Sequence, residues 1–162
     1  INLRTGMLER LGKIVDEIAA LQTKLILLVG EPGSGKTPLL VKLADSRDGQ
    51  VLNVGVVLGK RLAALPHRQR PLKVNEELKA LADDYVCEKD LVLLDNIELL
   101  FDQSLKLDPL ELLKRHAHSR RVVAVWPGEL REGRLSYAVM GHSEYQDYGL
   151  DGLVPFEINK NS

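Results

Sequence analysis

Residues 25–40 read LILLVGEPGSGKTPLL, and this stretch decides the fold. Five apolar residues run without a break from Leu25 to Val29, which suits a strand covered on both faces, as in a parallel sheet. The next eight, Gly30 to Thr37, match G-x-x-x-x-G-K-[ST]. Gly30, Gly33 and Gly35 let the backbone curl and turn its N–H groups inward around an anion. An apolar helix should follow, its positive end facing the same point. The loop therefore reads as a phosphate cradle. Lys36 would reach the β- and γ-phosphates of a nucleotide, and the Thr37 hydroxyl would ligate Mg²⁺. Glu31, Pro32 and Ser34 complete the turn. Pro38 is the odd residue, because it has no N–H to offer.

Outward from the loop, strand and helix patterns alternate. Upstream, MLERLGKIVDEIAALQ spaces Leu8, Leu11, Val15 and Ile18 for one helix face, with Thr5 as its expected N-cap. This helix, within residues 1–22, should pack on the core. Downstream, VLNVGVVL predicts a second buried strand, NEELKALADDYV a helix capped by Asn75, and LVLLD a third strand. DPLELLKRHA opens with Asp108 as N-cap, Pro109 at the first helical position and Glu111 at the capping-box position. RVVAVW predicts a fourth strand ending at Trp126. Arg134 to Met140 predicts a weak helix, and LVPFEI a fifth strand that Pro155 pushes to an edge. The expected architecture is α/β: a three-layer parallel sheet with helices on both faces, forming a single P-loop NTPase domain over residues 1–162. Its ligand site should lie beyond the carboxyl ends of the strands.

The strand LVLLD carries the second half of the chemistry. Asp95 would hold Mg²⁺ through its water shell, close to Thr37. One predicted strand separates the loop from Asp95, which is the order of the additional-strand, catalytic-glutamate (ASCE) division of P-loop NTPases, AAA+ ATPases among them. It is not the order of nucleotide kinases or GTPases. The guanine signature N-K-x-D is absent, Ser162 standing last in NKNS, so ATP or ADP is the expected nucleotide. That division usually has Glu after the Asp, as the base that activates water. Here the residue is Asn96, which orients a water but cannot take its proton. Glu98 is the candidate replacement, weighed against a solvated helix carboxylate. Lys36, Asp95, Asn96 and Glu98 are thus the candidate catalytic set. Arg120, Arg121, Arg131 and Arg134 are candidates for an arginine at the γ-phosphate.

Composition narrows the rest. The formal charge of −1 and 4% aromatic content give no sign of a nucleic-acid surface, and direct nucleic-acid contact is not indicated. The cluster Lys60, Arg61, His67, Arg68, Arg70 and Lys73 reads as a solvated face, or else as a contact for DNA phosphates or an acidic partner. The one cysteine, Cys87, excludes an internal disulfide and fits a reducing, cytoplasmic setting. No stretch reads as a membrane span or signal peptide. The histidines His116, His118 and His142 show no ligand spacing with Cys87, so no zinc is expected. GHSEYQDYG suits a loop or a partner contact.

Taken in order, LLVGEPGSGKTPLL, LNVGVVLGKRLAALPHRQR, LLDNIELLFD, LDPLELLK, VVAVWPG and LSYAVMGHSEY resemble the small P-loop proteins of type 3 bacteriophage-exclusion (BREX) defence systems, the BrxF family. The likeness spans nearly the whole chain and includes Pro38, Asn96 and the Trp-Pro-Gly turn. It implies a bacterial anti-phage role beside a methyltransferase and other defence proteins, with homo-oligomers open. It also implies an AAA+-like core without the usual helical lid. Two functions follow as expectations: an Mg-ATP-binding, weakly hydrolysing subunit, or a nucleotide-sensing module that assembles partners without turnover.

Overall fold

The computed structural model of the chain describes residues 3–137 and 146–158. Five strands form a parallel sheet: β1 (Leu25–Val29), β2 (Val51–Asn53), β3 (Leu91–Asp95), β4 (Arg121–Val125) and β8 (Val154–Glu157), in the order β2-β3-β4-β1-β8. β4 thus lies between the strand of the glycine loop and the strand of Asp95. Alternate residues of β1 serve opposite faces, which explains its unbroken apolar run. Ile26 and Leu28 join Leu11, Val15 and Ile18 of the N-terminal segment and Leu40 and Leu43 in one core. Leu25, Leu27 and Val29 join Leu58, Leu78 and Leu113 in the other.

The helices are α1 (Leu3–Glu17), α2 (Lys36–Ser46), α3 (Val54–Ala63), α4 (Arg70–Tyr85) and α5 (Pro109–His116). α1 and α2 cover one face of the sheet, and α3, α4 and α5 the other, giving the three layers expected. α5 is capped as its sequence predicts, Asp108 Oδ1 accepting from the Glu111 N–H at 3.1 Å. β8 is an edge strand, where Pro155 is tolerated.

Four local expectations are corrected. VLNVGVVL is a strand only as far as Asn53, and α3 begins at Val54. Asn53 Oδ1 accepts from the Val56 N–H at 3.1 Å and so caps the helix. Val54, Leu58 and Leu62 are buried at helical spacing, so packing overrides the strand preference of the valines. α4 starts at Arg70, so Asn75 is interior and not a cap; Pro71 sits in the first turn, where its missing N–H costs nothing. Thr5 lies inside α1, which starts two residues earlier.

The fourth correction is the largest. Arg134–Tyr137 is not helical but is strand β6, paired antiparallel with β5 (Glu129–Arg131) and β7 (Gln146–Tyr148) in a separate three-stranded sheet. Its first turn holds Glu132 at φ 50° and Gly133 at φ 74°, the mirror-turn geometry that matches strand twist. Residues 138–140 of the predicted helix, with His142, lie outside the described residues. No described helix is long and apolar enough to cross a membrane.

Candidate functional site

Parallel pairing brings the carboxyl ends of the strands to one edge. Asn53 stands opposite Asp95, Leu94 opposite Ala124, and Leu28 opposite Val125. The glycine loop, Asp95 and Trp126 therefore meet where an open α/β sheet binds its ligands.

The loop leaves β1 at Gly30 and turns through a Ser34 N–H to Glu31 O bond of 3.0 Å. Gly35 caps α2 at φ 101°, a conformation that a side chain would strain. Ser34 Oγ is buried and is without a hydrogen-bond partner among the described residues. Lys36 is half-buried and donates its ammonium to Gly30 O at 2.8 Å and Trp126 O at 3.3 Å. Burial pulls its pKa below the ordinary lysine value, against the raising fields of Glu98 and then Asp95. A satisfied core would leave neither an orphaned hydroxyl nor a desolvated ammonium here. Both fit an anion with several acceptor oxygens. Thr37 and Pro38 are exposed on the first turn of α2.

Beyond β3 the chain turns sharply. Asn96 has φ 54° and ψ 53°, the left-handed region that Asn tolerates better than most residues. Three bonds hold it there. Its N–H donates to Asp95 Oδ1 at 2.8 Å, its Nδ2 to Asn53 Oδ1 at 2.9 Å, and its carbonyl accepts from the Gly55 N–H at 2.9 Å. Asn53 thus serves two elements with one oxygen. It was missed as a site neighbour because VLNVGVVL read as one strand; its place before an apolar helix face is the available cap signal. Glu98 is exposed in the short 3₁₀ turn Ile97–Phe101, yet its charge acts on Lys36 more strongly than that of Asp95.

The arginine candidates separate clearly. Arg121 opens β4 and Arg120 precedes it, so both lie about 13 Å or more of strand from its carboxyl end. Arg120 pairs with Asp83 at 2.6 Å, and Arg121 is buried against Asp90 at 2.9 Å and Glu88 at 3.3 Å. Arg134 pairs with Asp147 on β7. Arg131 alone of the four lines a cavity of about 160 Å³ beside the loop, with Gly30, Glu31, Glu129 and Glu157; it pairs there with Glu129 at 2.9 Å. Within the basic cluster, Arg61 pairs with Glu77 at 3.3 Å, Arg70 donates to Leu65 O at 3.2 Å, and Lys73 meets Glu76 at 3.3 Å. Those cations serve the junction of α3 and α4.

No family model matches the sequence, and no curated protein does. Among solved structures, a DNA replication initiation factor superposes with a TM-score of 0.50 at 17% identity, over 93% of this chain and 44% of its own. PCH-2 from C. elegans gives a TM-score of 0.49 at 18% identity, over 97% of this chain and 42% of its own. The chain spans less than half the length of either. The strand order, with β4 between β1 and β3 and a glycine loop after β1, is the fold of an AAA+-like P-loop core.

Proposed function

We propose that the chain binds Mg-ATP at the Gly30–Pro38 loop and hydrolyses it slowly. More particularly, the motif order it shares with the BrxF family supports a role as a subunit of a bacterial anti-phage (BREX) complex. The observation that carries the nucleotide reading is Lys36: a half-buried ammonium held on backbone carbonyls, within the fields of Glu98 and Asp95, in the same loop as a buried Ser34 hydroxyl without a partner among the described residues. Backbone N–H groups from Gly33 to Thr37 would bind the phosphates, and Lys36 would offset charge on the outer ones. Thr37 and Asp95 would hold Mg²⁺, which neutralises charge developing on the transferred phosphoryl group. Of the four candidate arginines, Arg131 would be the one to assist, once freed from Glu129. Glu98 would be the carboxylate that orients and deprotonates a water, since Asn96 is committed to Asn53.

The same commitment of Asn96 favours a second reading, a nucleotide sensor without turnover. Calorimetric titration with Mg-ATP and a phosphate-release assay, each with and without the other defence proteins, separate the two. Lys36→Ala should abolish binding with the fold intact by circular dichroism, because Lys36 packs no core. Equal affinity in both proteins defeats the nucleotide reading. Glu98→Gln should slow turnover by about 10²-fold or more if Glu98 is the base. A chain that binds ATP but releases no phosphate under any condition is the sensor. Loss of phage resistance in cells carrying Lys36→Ala tests the defence role.

A further inference from the structure

The residue after β4 ties the phosphate loop to the small sheet. Trp126 is completely buried. Its N–H donates to Leu28 O at 2.9 Å, which extends the ladder to β1 by one residue. Its carbonyl accepts from Lys36 Nζ at 3.3 Å. Its indole N–H donates to Ser136 O of β6 at 3.0 Å. The indole meets Phe101 and Tyr148 edge-on, with centroids 5.4 and 5.5 Å away. Phe101 ends the turn that follows Asp95, and it stacks on Tyr137 of β6 at 4.1 Å. Gly128 lies so close to β6 that a Cβ there would fall 1.5 Å from Ser136 O. The three strands share no ladder with the five-stranded sheet, so these contacts at Trp126, Phe101 and Gly128, with Leu135 buried in the core, seat the small sheet on the site.

The Lys36 bond to Trp126 is the longer of its two backbone bonds, 3.3 against 2.8 Å. A long bond to a neutral carbonyl yields to an anion, because charge-assisted bonds are roughly twice as strong. We propose that Trp126 is a positioning residue that couples phosphate binding at Lys36 to the β5–β7 sheet: an anion that draws the ammonium off the Trp126 carbonyl loosens the peptide from which β6 hangs. Pro127 follows directly and supplies no N–H to hold that turn. The coupling rests on the phosphate-binding reading above.

Trp126 is the chain's one tryptophan, so its fluorescence reports on the link. The test combines that signal with amide hydrogen exchange of residues 129–137 and 146–148, during titration with Mg-ADP and Mg-ATP, with occupancy followed by calorimetry. Loading should shift the emission and speed exchange in β6 several-fold. Lys36→Met without nucleotide should show the same faster exchange, because the carbonyl has lost the same donor. Trp126→Phe keeps a buried ring and loses the N–H; it should bind nucleotide within a few-fold of wild type while its exchange response falls to less than half. If Trp126→Phe does not fold, Lys36→Met decides. Saturable binding with unchanged or slower exchange in β6, or a Lys36→Met protein indistinguishable from unliganded wild type, overturns the coupling. Absence of binding by calorimetry instead removes the nucleotide reading, and the coupling with it.

Discussion

Replacing Pro38 should tighten nucleotide binding and lower stability at once. Pro38 is the third residue of α2, and the first intrahelical bond runs from the Leu39 N–H to Gly35 O at 3.0 Å. An N–H at position 38 would therefore have no helical acceptor and would join the free donors of the helix end. A hydrogen bond to a charged group contributes about 1.5–3 kcal/mol. Pro38 is exposed, so solvent competes, and about 1 kcal/mol is the expected gain, roughly five-fold in affinity. Alanine also frees the unfolded chain, which costs about 0.4–1 kcal/mol of stability. For a chain of this size that lowers Tm by about 1–4 °C.

Calorimetry with Mg-ADP and a thermal melt without ligand measure the two effects separately on Pro38→Ala. The opposed signs are diagnostic, because a general loosening of the loop would weaken binding and stability together. Unchanged or weaker affinity alongside a lower Tm would refute the reasoning. The proline would then be needed for the shape of the loop, and the missing donor would be irrelevant.

Asn53→Ala should cost about 1–3 kcal/mol in urea unfolding, combining a lost N-cap with the lost Asn96 bond. Asn53→Asp should recover part of this, since it keeps the acceptor but stands opposite Asp95; equal losses in the two variants would show that the shared oxygen matters little. His116 is held down to about 4, chiefly by burial and then by Arg120, so the unfolded chain takes the proton first as pH falls. Its contribution to stability is complete above about pH 6.5 and is lost between there and about 4. His116→Asn should therefore lose less stability than wild type across that window, and parallel pH profiles would contradict it.

What the sequence revealed depended on whether the signal was contiguous. The loop is one uninterrupted motif, and β1, β3 and β4 are apolar runs buried on both faces, so all were legible. α3 was not, because Val54, Val56 and Val57 favour strands locally, while the helix is stabilised by the Asn53 cap and the 54-58-62 spacing. The β5–β7 sheet was hidden for another reason. Its strands are three or four residues long and of mixed polarity, and it is anchored by a tryptophan and an aromatic stack. The Glu132-Gly133 turn was its one local sign. Two site contacts were beyond any motif: the Asn96 bond to Asn53 spans 43 residues, and Lys36 reaches a backbone carbonyl 90 residues away.

That long-range geometry accounts for an asparagine at position 96, where the sequence pattern of the catalytic-glutamate division would have a glutamate. Position 96 is left-handed, where Asn is tolerated and Glu would be strained by about 1–2 kcal/mol. The side chain there must also donate to Asn53 Oδ1, which a carboxylate cannot do, and that oxygen already caps α3. A glutamate at 96 would therefore bring a base together with backbone strain, a lost bond and an unfavourable oxygen pair. It should raise turnover far less than the 10²–10⁴-fold that a well-placed base contributes. Fixing Asn96 lets the turn of Ile97–Phe101, which carries Glu98, set Phe101 against Trp126 and Tyr137. The same turn thus orders the carboxylate proposed for hydrolysis and the aromatic contacts proposed to report it.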